Sequence, residues 1–121
     1  MDVSHDGNRL SIDGKSIELE QEVRQVLTLP DRAIVLFENR GYAETDPRTN
    51  SNIVAVDRSG RILWRIEESK PIDMDGEFSP DPFIGMGFED NGQRVVVCDM
   101  DGLTLDLDPQ TGRLSNPVFT R

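Results

Sequence analysis

The sequence predicts an all-β fold: an antiparallel meander of about 8–10 strands, two packed blade-like sheets forming a sandwich or open barrel. Three observations predict it. Apolar residues fall in short runs of roughly five, rich in β-branched side chains, as in Ala33 to Phe37 (AIVLF) and Val95 to Cys98 (VVVC). Between the runs stand polar turns closed by glycine, among them Asp13-Gly14, Ser59-Gly60, Asn91-Gly92 and Asp101-Gly102. The third is the stretch Asn52 to Glu67 (NIVAVDRSGRILWRIE), two strand-like runs around the turn Asp57-Arg58-Ser59-Gly60. It carries the single tryptophan of the chain, Trp64, which is expected at the centre of the core. Ile62, Trp64 and Ile66 are expected on one face of their strand and Leu63 on the other.

The elements follow in order. Met1 to Asn8 reads as a frayed start. Arg9 to Ile12 and Lys15 to Leu19 alternate apolar and polar around Asp-Gly, the strongest short-range hairpin signal. In Glu20 to Leu29 the spacing of Leu19, Val23, Val26 and Leu27 allows a short helix. Val26-Leu27-Thr28-Leu29 running into Pro30-Asp31 favours a strand ending at Leu29. Ala33 to Phe37 is apolar throughout, as a strand buried on both faces must be. A polar loop, 38–51, leads to the central hairpin, and a second loop, 68–82, leads out of it. Phe83 to Phe88 is a strand weakened by Gly85 and Gly87, where something can approach the backbone closely. Arg94 to Cys98, Leu103 to Leu107 and Arg113 to Phe119 complete the meander.

The 121 residues are read as one domain, 1–121: an N-terminal hairpin at about 9–19 and two similar halves, about 23–67 and 83–119. In each half a strand ends in Asp, a turn closes on Gly-Arg, and an apolar strand follows. Asp57-Arg58-Ser59-Gly60-Arg61 aligns with Asp108-Pro109-Gln110-Thr111-Gly112-Arg113. The pattern resembles the blade repeat of quinoprotein-type (PQQ-like) β-propellers, best over Ile53 to Ile66 and more weakly over Leu103 to Val118, where Asn116 or Pro117 stands near the expected tryptophan. The resemblance implies two blade-like sheets. Propellers close with about four to eight blades, so this chain is expected not to close a ring by itself. The quinone cofactor of that family does not carry over, because no cofactor residue is matched.

Charge limits the partners. There are 23 acidic and 13 basic residues, a net charge of −10, and Lys15 and Lys70 are the only lysines. A salt-adapted surface is one reading and an ordinary acidic protein from a GC-rich genome the other. Either argues against binding nucleic acid or anionic membrane, which needs clustered basic side chains. Cys98 stands alone, so no intrachain disulfide and no thiolate metal site is available, and it reads as a small buried hydrophobe. With no membrane-length apolar run and no secretory signal, the cytoplasm is the expected location.

Chemistry is sparse. His5 is the only histidine and lies in the expected tail, which removes Ser-His-Asp and Cys-His arrangements. Asp-Met-Asp-Gly occurs twice, as Asp73 to Gly76 and Asp99 to Gly102, and the meander places both at one end with the two long loops. Asp73, Asp75, Asp99 and Asp101 are therefore candidate ligands for calcium or magnesium, hard cations that take carboxylate oxygens. Asp-Gly is also ordinary turn chemistry, the competing reading. Tyr42, Phe78 and Phe83 are candidates for an exposed contact patch, against partial burial under the loops. The expected function is a non-enzymatic binding module for an unknown protein or small-molecule partner, without cofactor, using the loops 38–51 and 68–82. The expected state is a monomer, with a homo-oligomer as alternative. The rivals are a divalent-metal protein and a carboxylate-dependent hydrolase.

Overall fold

A computed structural model describes residues 1–38, 46–67 and 81–119. They hold eleven strands in three antiparallel sheets, with one 3₁₀ turn at Pro47–Asn50. Sheet A is β1 (Val3–Asp6), β2 (Arg9–Ile12) and β3 (Lys15–Glu18). Sheet B runs in chain order through β4 (Val23–Thr28), β5 (Arg32–Phe37), β6 (Ile53–Asp57) and β7 (Ile62–Arg65). Sheet C does the same through β8 (Phe83–Glu89), β9 (Arg94–Asp99), β10 (Leu103–Leu107) and β11 (Leu114–Phe119). The meander and the sandwich are as expected, and the two similar halves of the sequence are sheets B and C. The N-terminal hairpin gains a third strand. Residues expected to fray instead pair as Val3↔Ile12, Ser4↔Ser11, His5↔Leu10 and Asp6↔Arg9. The pairing is supplied by β2, since Val3 is the only apolar residue of β1.

Sheet B is the middle layer. On β5, Ile34 and Leu36 face sheet C, and with Leu27, Ile53 and Ile66 they pack on Phe83, Val95, Val97, Leu103, Leu105 and Leu107. Val35 and Phe37, with Val23, Val54 and Val56, face the other way onto Leu10 and Ile12 of sheet A. Both faces being covered is why β5 and β6 read as uninterrupted apolar runs. The segment 23–28 is a strand, not a helix: packing against β5 and burial of Val23 and Leu27 outweigh the helical spacing.

β7 departs from the simple alternation. A register shift opposite Ala55 and Val56 sets Ile62 against Val56 and Trp64 against Ala55. This bulge turns Ile62 and Trp64 to opposite faces, correcting the expectation of a single face. Trp64 is half-buried at the rim of the core instead of its centre, and its indole N–H donates to the Pro109 carbonyl at 3.0 Å. Cys98 is half-buried, on the outer face of sheet C with Gly85 as its partner. Neither Gly85 nor Gly87 has a neighbour within 4 Å of where a Cβ would lie. What approaches β8 does so at its edge. The Gln25 side chain donates to the Met86 carbonyl at 2.7 Å and accepts from the Met86 N–H at 3.0 Å.

Candidate functional site

The aspartates of the repeat are turn acceptors. Asp57 Oδ1 accepts from the N–H groups of Ser59 and Arg61, at 2.9 and 3.0 Å, and from the Ser59 hydroxyl at 2.6 Å. Asp108 Oδ1 accepts from the Gln110 N–H at 2.9 Å. Asp99 Oδ1 accepts from the N–H groups of Asp101 and Leu103, both at 3.0 Å, so the first role of Asp99 is also to shape its turn.

One end of the sandwich is distinct, hereafter the loop end. It holds the described flanks of both long loops and the turn between β9 and β10. Asn52, fully buried, ties these together. Its Nδ2 donates to the carbonyls of Phe37 at 3.2 Å and Phe83 at 2.9 Å, and its Oδ1 accepts from the Phe83 N–H at 2.9 Å. The Met100 N–H donates to the Pro82 carbonyl at 3.2 Å, holding the 99–102 turn against the start of β8.

Three carboxyl groups lie at this end: Asp81 ahead of β8, Asp99 at the end of β9, and Asp101 in the turn. The Asp81 carboxyl hydrogen-bonds Asp101, and that bond, partial burial and the charges of Asp101 and Asp99 push its pKa up to about 6. Two carboxyl groups bond directly only while they share a proton. Asp99 is fully buried, and its second oxygen, Oδ2, has no hydrogen-bond partner. No lysine or arginine forms a salt bridge with Asp99 or Asp101 among the described residues. Some aspartates elsewhere have such neighbours. Arg48 beside Asp46 holds that carboxyl down at about 2, and Arg32 lowers Asp31.

Exposed apolar side chains lie at the same end. Ile84 is 41% exposed, Met100 63%, Val118 55% and Phe119 41%, and register places them all at the loop end of sheet C. The opposite end carries an open apolar notch of about 240 Å³ lined by Leu29, Pro30, Phe88, Val95 and Pro109 among others, with no charged group.

The sequence-predicted site residues divide. Asp99 and Asp101 lie together at the loop end; Asp73, Asp75, Tyr42 and Phe78 lie outside the described residues. Phe83 is corrected: at 2% exposure it is a core residue, turned inward by its place opposite Asp99 at the start of β8, and is no part of a contact patch. Among the described residues no group of three His, Cys, Asp or Glu side chains is placed to hold a metal ion. Sequence reasoning missed Ile84 and Met100. For Met100 a signal existed, a large apolar side chain between two aspartates in a turn where burial is not available.

The fold and its loop end define an all-β, three-layer sandwich domain with an acidic, apolar-bordered tip. The chain belongs to the family described as Domain of unknown function (DUF7957), whose model matches residues 1–119. No curated protein and no solved structure matches it. Among the described residues no helix is long and apolar enough to cross a membrane.

Proposed function

We propose that the protein is a non-enzymatic binding module that docks a partner protein on the loop end of sheet C. One observation carries this reading. Of the seven large apolar side chains exposed among the described residues, four (Ile84, Met100, Val118 and Phe119) lie at that end. Apolar side chains gathered on a surface mark contact sites, and loops on a rigid scaffold are where such contacts are made. The buried Asn52 and Phe83 beneath supply the rigidity.

The proposed setting is the cytoplasm, and the net charge of −10 supports a surface adapted to high salt. The two four-stranded meanders with their Asp-closed turns support kinship with quinoprotein-type propeller blades.

The test is a photo-crosslinking amino acid placed singly at Ile84 and Met100, and at Ile62 and Gln93 of the opposite end, in cells of the source organism. The reading predicts a discrete adduct from positions 84 and 100 and none from 62 and 93. Adducts from both ends alike, or from neither, contradict it.

A further inference from the structure

We propose that the partner seated on sheet C is a second copy of this chain, the outer faces of two sheets C packing about a two-fold axis that runs along their strands. The inference rests on the loop end being a docking surface, and names what docks there.

Two glycines point to it. Gly85 and Gly87 lie in β8, and glycine weakens a strand because it loses the most backbone freedom and packs no side chain. Nothing within the chain calls for them. Neither has a positive φ, and no atom beyond the adjoining residues lies within 4 Å of the position a Cβ would take. The missing side chains leave a shallow trough of about 380 Å³ on the outer face of sheet C, lined also by Val96, Cys98 and Thr104. Space kept open at a cost to the strand, and unused by the chain itself, fits an occupant from outside.

The register says which occupant. Across the sheet the outward residues form two rows: Gly85, Cys98, Thr104 and Val118, then Gly87, Val96, Asp106 and Ser115. A two-fold axis along the strands, between β9 and β10, lays β8 of one copy over β11 of the other, and β9 over β10. Gly85 then meets Val118 of the second copy, Cys98 meets Thr104, Gly87 meets Ser115, and each contact occurs twice. The smallest residues, at one edge of the sheet, receive larger ones from the other edge. An axis across the strands would set glycine over glycine and leave the trough unfilled. The axis along them also brings loop end to loop end, so Ile84 and Val118, both exposed, join the contact in each copy.

Charge permits this face. A chain of net charge −10 repels its own copy, so contact needs a surface without unanswered charge. The single carboxylate of the two rows, Asp106, has Arg94 at 3.5 Å and accepts from the Asn116 amide at 2.7 Å. Four strands spaced by about 4.8 Å, and about five residues of roughly 3.4 Å each, make a face about 19 by 17 Å. That is small for a stable dimer, so association is weak, depends on concentration and needs the apolar loop end to complete it.

The test is sedimentation equilibrium of the purified chain in about 1 M KCl, where repulsion is screened, from about 5 to 500 µM. Beside it is measured the rate at which Cys98, the single thiol of the chain, reacts with a thiol reagent. The expected result is a monomer–dimer equilibrium, with Cys98 reacting several-fold more slowly in the dimer. Gly85→Val should weaken the dimer by about tenfold or more, the scale of one overfilled contact. The same variant should keep or raise the unfolding midpoint, since valine suits a strand better than glycine. Adding Val118→Gly should recover part of the lost association, because it reopens the space that the new valine fills. A dimer unchanged by Gly85→Val, or one that leaves Cys98 as reactive as in the monomer, would overturn the sheet C face. A lower midpoint for Gly85→Val and Gly87→Val alike would make the glycines a requirement of the fold and overturn the inference. A monomer at every concentration would overturn the second copy alone, leaving the loop end to the crosslinks at positions 84 and 100.

Discussion

Asn52 joins two sheets through one amide, bonding the end of β5 and the start of β8 from full burial. Asn52→Ala leaves the Phe83 N–H and carbonyl without these partners and is expected to cost about 2–4 kcal/mol, read as a lower urea midpoint with unchanged slope. Nothing local revealed this. Asn52 reads as the polar residue before a strand, and its partner Phe83 is 31 positions away. Asp81 ties stability to pH. Its folded pKa, about 6, lies above the ordinary 3.8, so the folded state favours the protonated form. The resulting stabilisation is fully present below about pH 4 and is lost as pH rises through about 6. Asp81→Asn should therefore flatten the pH dependence of the unfolding midpoint between pH 4 and 7. An unchanged slope over that window would show that the shared proton does not contribute.

Elements were legible where one rule decides and obscure where two compete. β5 declared itself by its five consecutive apolar residues, and the two-sided burial of Ile34, Val35, Leu36 and Phe37 follows. β2 and β3 declared themselves by Asp13-Gly14, both with positive φ in the turn. β1 was hidden because its sequence has a single inward apolar residue. The bulge in β7 was hidden because periodicity carries no mark of an inserted residue. The candidate site was half legible. Repetition drew attention to Asp99 and Asp101, whereas Phe83 was misplaced because an aromatic residue after a polar loop reads alike whether it points in or out. Gly112 has φ +79°, and a Cβ there would lie 2.6 Å from Cε3 of Trp64. Gly112→Ala is expected to destabilise by about 1–3 kcal/mol and to shift the emission of Trp64, because the indole must leave the Pro109 carbonyl. Unchanged emission would mean that the turn yields instead of the tryptophan.

At the scale of the molecule, three sheets in a stack leave two outer faces. That of sheet A carries Ser4, Ser11 and Ser16, with Arg9 and Glu18 bridged at 3.8 Å, and ends the stack as a polar cap. The net charge of −10 acts on the whole stack. Raising KCl from about 0.05 to 1 M shortens the screening length from over 10 to about 3 Å, and the unfolding midpoint should rise as self-repulsion fades. A midpoint that falls or stays level would show that local pairs already neutralise the surface. The central claim is that the apolar side chains of the loop end serve a partner and not the fold. Its most direct measurement is the unfolding free energy of the triple variant Ile84→Ser, Met100→Ser, Phe119→Ser. The account predicts a value within about 1.5 kcal/mol of the parent, as for three independent surface sites. A loss of several kcal/mol, of the size that removing core side chains produces, would make these residues part of the core and remove the basis for a docking surface.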